Sequence, residues 1–276
     1  MGDLALVHDR GGSGEPLVLV HGIGSCWRCW DPVVPLLREH HDVIALDLPG
    51  FGESPAVDGE PTVYAITDAL EQALMEAGLE GSHLVGNSLG GWIVAELAAR
   101  GQAKTAVAIS PAGLATQREI ALARRTLGPA QKVAKRIAPL DDSLVATRAG
   151  RTLLFNQMHT RPWRVEPDSA AHQLRMLAGS ESFVDTLEWA CRSGAQPRDL
   201  DKISCPFRIL WGTRDLVLPY RQAKRWERIV PGAELITLKG LGHLPMADDP
   251  ELVAKSILEL TAATPRAPRQ PAGVPA

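Results

Sequence analysis

The side chain of Ser88 has the type and position of a catalytic nucleophile. It is the centre of Gly86-Asn-Ser-Leu-Gly90, the one G-x-S-x-G segment of the chain, at a point where a predicted strand passes into a predicted helix. Such a sharp turn strains the central residue and crowds its neighbours, which accounts for small residues two positions before and after it. The pentapeptide alone is a weak signal, so its interpretation depends on the residues that could accompany it.

Asp215 and His243 could activate Ser88. A serine hydroxyl is a poor nucleophile near neutral pH and needs a base, which in turn needs an orienting group. Asp215 follows a predicted strand that ends near Trp211, and His243 follows one that ends near Leu238, so both should reach the sheet edge where Ser88 lies. An isolated Asp or His in such a loop is more often a turn residue, but the chain order Ser, Asp, His at one edge predicts a catalytic triad. This chemistry requires no metal ion and no other cofactor.

Two backbone N–H groups are the expected donors to an oxyanion. One belongs to Leu89 in the first turn after the nucleophile, and the other belongs to Ile23 in the loop His21-Gly-Ile-Gly24. Acyl transfer gains most from donors aimed at the developing negative charge, and a helix N-terminus strengthens such a donor. His21 also has the residue type of a base, but its place at a strand end predicts a hydrogen bond that braces the loop instead.

Short apolar runs bounded by turn residues predict the strands that position these groups. Unbroken apolar runs of this length are typical of parallel strands buried on both faces. Stretches with a helical pattern separate several of the runs, and this alternation predicts a mostly parallel sheet with helices on both faces. The predicted strands are 17–21, 43–47, 82–86, 106–110, 207–211 and 233–238, and the predicted helices are 61–77, 91–100, 221–229 and 250–261.

Residues 115–200 interrupt this alternation, because they contain no comparable apolar run. Their pattern predicts a helical cap inserted into a core formed by residues 1–114 and 201–263. The cap has a net charge of +4 and the rest of the chain −7. Such a charge is typical of a solvated helix surface, with a preference for anionic substrates as the alternative. Residues 264–276 hold four prolines and little to bury, which predicts a disordered tail.

The composition excludes several classes of protein. A chain of 276 residues with a net charge of −3 lacks the basic surface of a nucleic-acid-binding protein. It has no apolar run long enough to span a membrane and no signal-peptide pattern, so we expect a cytoplasmic protein that acts on a small-molecule substrate, as a monomer or homodimer. Cys26 and Cys29 form a single C-x-x-C pair, which supplies only half of a tetrahedral zinc site, so no metal is expected.

Five segments together resemble the α/β-hydrolase family, in the branch that carries a cap. They are His21-Gly22 with Gly24, Asp47-Leu-Pro-Gly-Phe-Gly-Glu-Ser54, Gly86-Asn-Ser-Leu-Gly-Gly91, Trp211-Gly-Thr-Arg-Asp215 and Gly242-His243-Leu-Pro245. The resemblance runs from about residue 4 to residue 261. It implies an eight-stranded, mainly parallel sheet whose first two strands are antiparallel, with a helical lid after the sixth strand. It also implies the triad and the two oxyanion donors at the positions given above.

Three positions at which this chain differs from known sub-families of the α/β-hydrolases narrow the range of reactions that it is expected to catalyse. Haloalkane dehalogenases and epoxide hydrolases are similar to this chain but use an Asp nucleophile where this chain has Ser88. Meta-cleavage carbon–carbon hydrolases share a similar nucleophile segment but typically carry Trp at the position of Leu244. Cofactor-free haloperoxidase-like esterases usually have a larger aromatic residue at the position of Ile23.

The sequence therefore predicts a serine hydrolase that cleaves an ester-like bond of a small to medium hydrophobic substrate through an acyl-enzyme at Ser88. Hydrolysis of a carbon–carbon bond, as in the meta-cleavage enzymes, is one alternative. A ligand-binding or tailoring protein on the same scaffold is the other. The expected pocket residues are Gly24, Met158, Trp163, Val217 and Leu244.

Overall fold

A single mixed sheet organises the chain. The computed structural model describes residues 4–192 and 194–264, and within them seven strands form one sheet in the order β1-β3-β2-β4-β5-β6-β7. All neighbouring strands are parallel except β1, which pairs antiparallel with β3. The strands are β1 (His8–Gly12), β2 (Glu15–Val20), β3 (His41–Leu46), β4 (Ser82–Asn87), β5 (Ala103–Ile109), β6 (Phe207–Gly212) and β7 (Glu234–Leu238).

The fold class is confirmed, but the expected number of strands was wrong, because the described residues hold seven strands rather than eight. The first two strands run antiparallel as expected, although they are not neighbours: β1 pairs with β3. Gly12 and Gly14 both adopt a positive φ, so the chain turns away from the edge and β2 enters the interior of the sheet. The apolar pattern could not reveal β1, because His8–Gly12 is a partly exposed edge strand without an apolar side chain.

The described residues contain twelve α-helices. Their bounds are α1 (Val34–Arg38), α2 (Val63–Glu76), α3 (Leu89–Ala99), α4 (Gln117–Leu127), α5 (Ala130–Ile137), α6 (Asp141–Val145), α7 (Arg148–Phe155), α8 (Pro167–Gly179), α9 (Phe183–Ala190), α10 (Ala223–Ile229), α11 (Pro245–Asp248) and α12 (Pro250–Ala262). The four helices predicted from the sequence overlap α2, α3, α10 and α12. None of the helices in this part of the chain is both long and apolar enough to cross a membrane.

Strand β2 shows why the apolar runs are unbroken. Successive side chains of a strand point to opposite faces of the sheet. Leu17 and Leu19 pack in the cluster that contains residues of α1 and α12, whereas Val18 and Val20 pack in the cluster that contains residues of α2 and α3. All four side chains are completely buried. Each contributes on the order of 2 kcal/mol, so a polar residue on either face would be costly.

Residues 115–200 lie between β5 and β6, contain α4 to α9 and are called the inserted segment below. The expected lid after the sixth strand therefore follows the fifth, because the described sheet has one strand fewer before it. The buried carboxylate of Glu119, in α4, forms ion pairs with Arg221 and Arg225 and so holds the inserted segment to the rest of the chain. Of the tail predicted to be disordered, all but Thr264 lies outside the described residues.

Candidate active site

Ser88 occupies a strained turn between β4 and α3. Its φ of 57° and ψ of −114° lie outside the regions that non-glycine residues ordinarily adopt. Its N–H donates to the carbonyl of Ile109 on β5 (2.9 Å), and its own carbonyl accepts from Trp92 (3.2 Å) and Ala112 (3.0 Å). These bonds on both sides of the residue maintain the strained conformation.

The glycines around Ser88 are required by close backbone contacts. A Cβ at Gly86 would lie 2.1 Å from the carbonyl oxygen of Gly90, and a Cβ at Gly90 would lie 2.3 Å from the carbonyl oxygen of Val20. Neither neighbour is a flexible side chain, so a substitution would move backbone in the sheet or in α3. The expectation that only small residues fit two positions before and after Ser88 is confirmed.

Asp215 and His243 are in direct contact. Asp215 Oδ2 lies 2.8 Å from His243 Nδ1, while Asp215 Oδ1 accepts from the N–H groups of Val217 (2.9 Å) and Leu218 (2.8 Å). Both side chains of the pair are buried. Because an ionised carboxylate only accepts, this contact assigns the proton of the neutral imidazole to Nδ1 and leaves Nε2 as an acceptor.

Asn87 connects the loop of His243 to the turn that carries Ser88. Its side-chain amide donates to the carbonyl of His243 (3.1 Å) and to the carbonyl of Ile109 (3.2 Å), and the residue is buried. The residue that precedes Ser88 thus holds the backbone of the predicted base at the same edge of the sheet. Sequence reasoning missed this role, although a polar amide next to the predicted nucleophile was a signal for it.

The loop that carries Ile23 packs against Ser88. A Cβ at Gly22 would lie 3.1 Å from the Cβ of Ser88, so only glycine permits this approach without displacement. Leu89 begins α3, where the first N–H groups have no acceptor within the helix and carry the positive end of its dipole. Ile23, Ser88 and Leu89 line one cavity. The backbone N–H groups of Ile23 and Leu89 therefore remain the predicted oxyanion donors.

His21 braces this loop, as predicted. Its Nδ1 lies 2.7 Å from the carbonyl oxygen of Gly22, and its Nε2 accepts from the N–H of Leu48 (3.0 Å). Complete burial lowers the pKa of His21, which favours the neutral ring that this pair of contacts needs. Asp47 accepts from the N–H groups of Trp27 (2.7 Å) and Glu53 (2.9 Å) and holds the adjoining loops together.

Ser88 lines an apolar cavity of about 70 Å³, and half of the described lining residues belong to the inserted segment. Apart from Ser88 and the thiol of Cys191, the described side chains around it are hydrocarbon, aromatic or glycine. No charged side chain is among them. They are Ile23, Leu89, Trp92, Ala112, Gly113, Ala115, Ile120, Ala123, Leu127, Leu187, Ala190, Ala195, Val217 and Leu218.

Of the five predicted pocket residues, only Val217 is among the described residues that line this cavity. Gly24 instead packs against side chains of the inserted segment. A Cβ added at Gly24 would lie 2.7 Å from Leu177 and from Phe183, which shows how close they are. Trp163 is 43% exposed, and Met158 is joined to Leu244 by a backbone hydrogen bond (3.0 Å). The sequence named apolar residues of the inserted segment but could not tell which helix faces meet around Ser88.

The two cysteines of the C-x-x-C pair are deeply placed. Cys26 and Cys29 are both buried and not joined by a disulfide. Burial raises the pKa of Cys26 to about 12 and that of Cys29 well above its usual value. Both thiols therefore keep their protons at neutral pH and act as small apolar side chains in the core.

Comparison with known proteins connects this geometry to a family. A family model described as "Alpha/beta hydrolase family" matches residues 17–256. An uncharacterized protein of Mycobacterium tuberculosis is 29% identical over 260 residues, covering 87% of this chain and 73% of that protein. A thermophilic esterase from Thermogutta terrifontis superposes with a TM-score of 0.72 at 24% identity, covering 94% of this chain and 93% of the esterase. The enol-lactonase of Burkholderia xenovorans LB400 superposes with a TM-score of 0.74 at 19% identity, covering 93% and 96%.

Proposed function

The chain belongs to the alpha/beta hydrolase family, and from that premise we propose that it is a serine hydrolase acting on esters of short, uncharged acyl groups. The observation that carries the proposal is the buried contact between His243 Nδ1 and Asp215 Oδ2, at the sheet edge where Ser88 occupies its strained turn. The contact leaves His243 Nε2 as the free acceptor that a serine nucleophile needs.

In the proposed reaction, His243 Nε2 takes the proton of Ser88 Oγ as that oxygen forms a bond to the ester carbonyl carbon. The N–H groups of Ile23 and Leu89 stabilise the negative charge on the former carbonyl oxygen. The intermediate collapses when His243 gives the proton to the departing alcohol, leaving an acyl group on Ser88. A water molecule then attacks the acyl carbon and gives a proton to His243. The bond from the acyl carbon to Ser88 Oγ breaks, His243 returns the proton to that oxygen, and the acid is released. Asp215 orients the imidazole and stabilises its protonated form throughout.

The position of the cavity supports its assignment to the acyl group. Ile23 and Leu89, which carry the proposed oxyanion donors, line it, whereas His243 is not among the described lining residues. The general acid must reach the departing oxygen, so the leaving group belongs on the side of His243 and the acyl group in the cavity. Its volume of about 70 Å³ is far below that of pockets for drug-sized ligands, which favours a short acyl chain.

The chemistry of the same walls favours ester hydrolysis over carbon–carbon bond cleavage. The proposed alternative substrate is a dienoate that carries a carboxylate, which would need a positively charged or hydrogen-bonding partner. The described lining offers hydrocarbon surface, one thiol and the nucleophile.

A fluorophosphonate probe tests the proposed nucleophile. The probe should label the wild-type protein at Ser88, and Ser88→Ala should abolish both labelling and hydrolysis of nitrophenyl butyrate, with kcat lower by about 10⁴-fold or more. Ser110→Ala is the matched control, because Ser110 is a buried serine with positive φ directly after β5. It should be labelled like the wild type.

Two outcomes would contradict the proposal. A label on a residue other than Ser88 would refute the nucleophile. A kcat/KM for a dienoate far above that for the nitrophenyl ester would favour carbon–carbon hydrolysis. A protein that hydrolyses no member of a broad ester panel but binds a small ligand tightly would instead favour the ligand-binding alternative.

A further inference from the structure

The carboxylate of Asp248, at the end of α11, is buried close to the loop of His243. It accepts from the N–H of Gly242 (3.0 Å), from the N–H of Thr160 (3.0 Å to each oxygen) and from the N–H of Arg161 (3.2 Å). Within the described part of the chain, no Lys or Arg side chain forms an ion pair with it. Three backbone donors thus satisfy a buried charge, an arrangement that is costly to disturb.

These donors come from two segments that are far apart in the sequence. Thr160 and Arg161 belong to the inserted segment, whereas Gly242 directly precedes His243. The neighbouring Asp249 has a different role, since its side chain accepts from Leu252 (3.1 Å) and caps the first turn of α12. Asp248 therefore joins two parts of the site.

A second bond joins the same two segments on the other side of His243. The N–H of Leu244 donates to the carbonyl of Met158 (3.0 Å). The contact is close, since a Cβ at Gly242 would lie 2.9 Å from the Met158 carbonyl oxygen and 3.2 Å from Asp248 Oδ2. Residues 158–161 therefore contact the backbone immediately before and immediately after His243.

The electrostatics of His159 support this proximity. Its side chain is buried, and neither ring nitrogen has a hydrogen-bond partner among the described residues. Burial lowers the pKa of His159 to about 4, the charge of Asp248 opposes that shift, and His243 adds to it. Residues 158–161 thus lie within electrostatic reach of the proposed base.

We propose that Asp248 is a positioning residue for His243, because its carboxylate clamps residues 158–161 of the inserted segment onto the loop that carries the base. The inserted segment then has two functions, since it lines part of the proposed acyl cavity and also forms part of the support of His243. This proposal rests on the proposed function, in which His243 is the general base.

Asp248→Asn tests the clamp with little change of shape. Asparagine keeps only one acceptor oxygen, so it cannot accept from Gly242 through one oxygen and from Arg161 through the other. One segment is released, His243 should lose its fixed position, and kcat for nitrophenyl butyrate should fall at least 10-fold while KM changes less than about 2-fold. The rate of fluorophosphonate labelling at Ser88 should fall by a similar factor. Asp249→Asn is the matched control and should keep the wild-type kcat, because its helix-capping oxygen remains.

Hydrogen exchange of the wild-type protein tests the same clamp without a substitution that could impair folding. The amides of Thr160, Arg161 and Gly242 should exchange slowly and with similar protection factors, since they share one acceptor group. Fast exchange at Gly242 beside slow exchange at Thr160 would overturn the clamp.

The kinetic outcomes separate the two proposals. An Asp248→Asn protein with wild-type kcat, made from an enzyme that is active and labelled at Ser88, would overturn the positioning role alone. A loss of kcat that Asp249→Asn reproduces would also overturn it, because the loss would then reflect general damage to this region. A wild-type protein without hydrolysis or labelling would overturn the proposed function, and the positioning role with it.

Discussion

Replacing His159 by phenylalanine should make the protein less sensitive to acid. The folded state keeps His159 neutral, with its pKa lowered by burial to about 4 from an ordinary value of 6.5, and neither ring nitrogen has a hydrogen-bond partner among the described residues. The unfolded chain binds a proton at pH 6.5 and the folded chain does not, so stability is lost as the pH falls from 6.5 toward 4. At pH 5 this loss amounts to about 2 kcal/mol relative to pH 8.

The quantity compared is the change in the free energy of unfolding between pH 8 and pH 5, in the wild type and in His159→Phe. The other buried histidines contribute equally to both proteins, so their contributions cancel. The free energy of unfolding of the wild type and of His159→Phe would be measured in urea at pH 8 and pH 5, with the fluorescence of the seven tryptophans as the signal. The variant should gain about 2 kcal/mol relative to the wild type between the two pH values. Equal pH dependence of the two proteins would show that His159 titrates normally, and would refute the buried, neutral environment assigned to it.

Three further substitutions test other parts of the site. Gly86→Ala should lower the melting temperature by well over 5 °C or prevent folding, because its Cβ would lie 2.1 Å from a backbone oxygen. The control is Gly179→Ala, which should melt within about 2 °C of the wild type because a Cβ at Gly179 meets nothing within 4 Å. Leu187→Ala should widen the proposed acyl cavity, so kcat/KM for nitrophenyl octanoate divided by kcat/KM for nitrophenyl butyrate should rise by about 10-fold. The control is Val184→Ala at an exposed position of the same helix, which should leave this ratio unchanged. His21→Phe should cost about 1–3 kcal/mol of stability in urea denaturation, since the N–H of Leu48 loses its acceptor, and a stability equal to that of the wild type would contradict the bracing role.

Much of the sheet could be predicted because its residues carry a strong local signal. The run Leu17–Val20 is apolar at every position, since both faces of the strand are covered, and six of the seven described strands overlap the strands predicted from the sequence. Strand β1 escaped prediction because an edge strand can be polar throughout. The pairing of β1 with β3 also depends on how Gly12 and Gly14 turn the chain, and a hydrophobic pattern does not show this turn.

The candidate triad could be predicted for a related reason. Ser88, Asp215 and His243 each follow a strand of a parallel sheet, and parallel strands end at one edge, so chain order was enough to predict that all three lie at the same edge. The glycines at 86 and 90 gave independent support, because the crowding that demands them comes from the turn and the strand beside it. The contact between Asp215 and His243 was therefore accessible from the sequence.

The cavity wall and the clamp depended on tertiary structure. The sequence showed that residues 115–200 are helical and apolar in part, but the choice of Ile120 and Leu187 over Met158 and Trp163 as lining residues depends on how the helices rotate and pack. Asp248 looks like one acid among others near the C-terminus until three N–H groups from two distant segments are seen to converge on it. By itself, the sequence determined six of the seven described strands, the sheet edge at which Ser88, Asp215 and His243 are expected and their order along the chain, because these depend on residues that are close in the sequence. Only the tertiary structure decided the shape of the cavity and the support of His243, because both arise where segments distant in sequence meet.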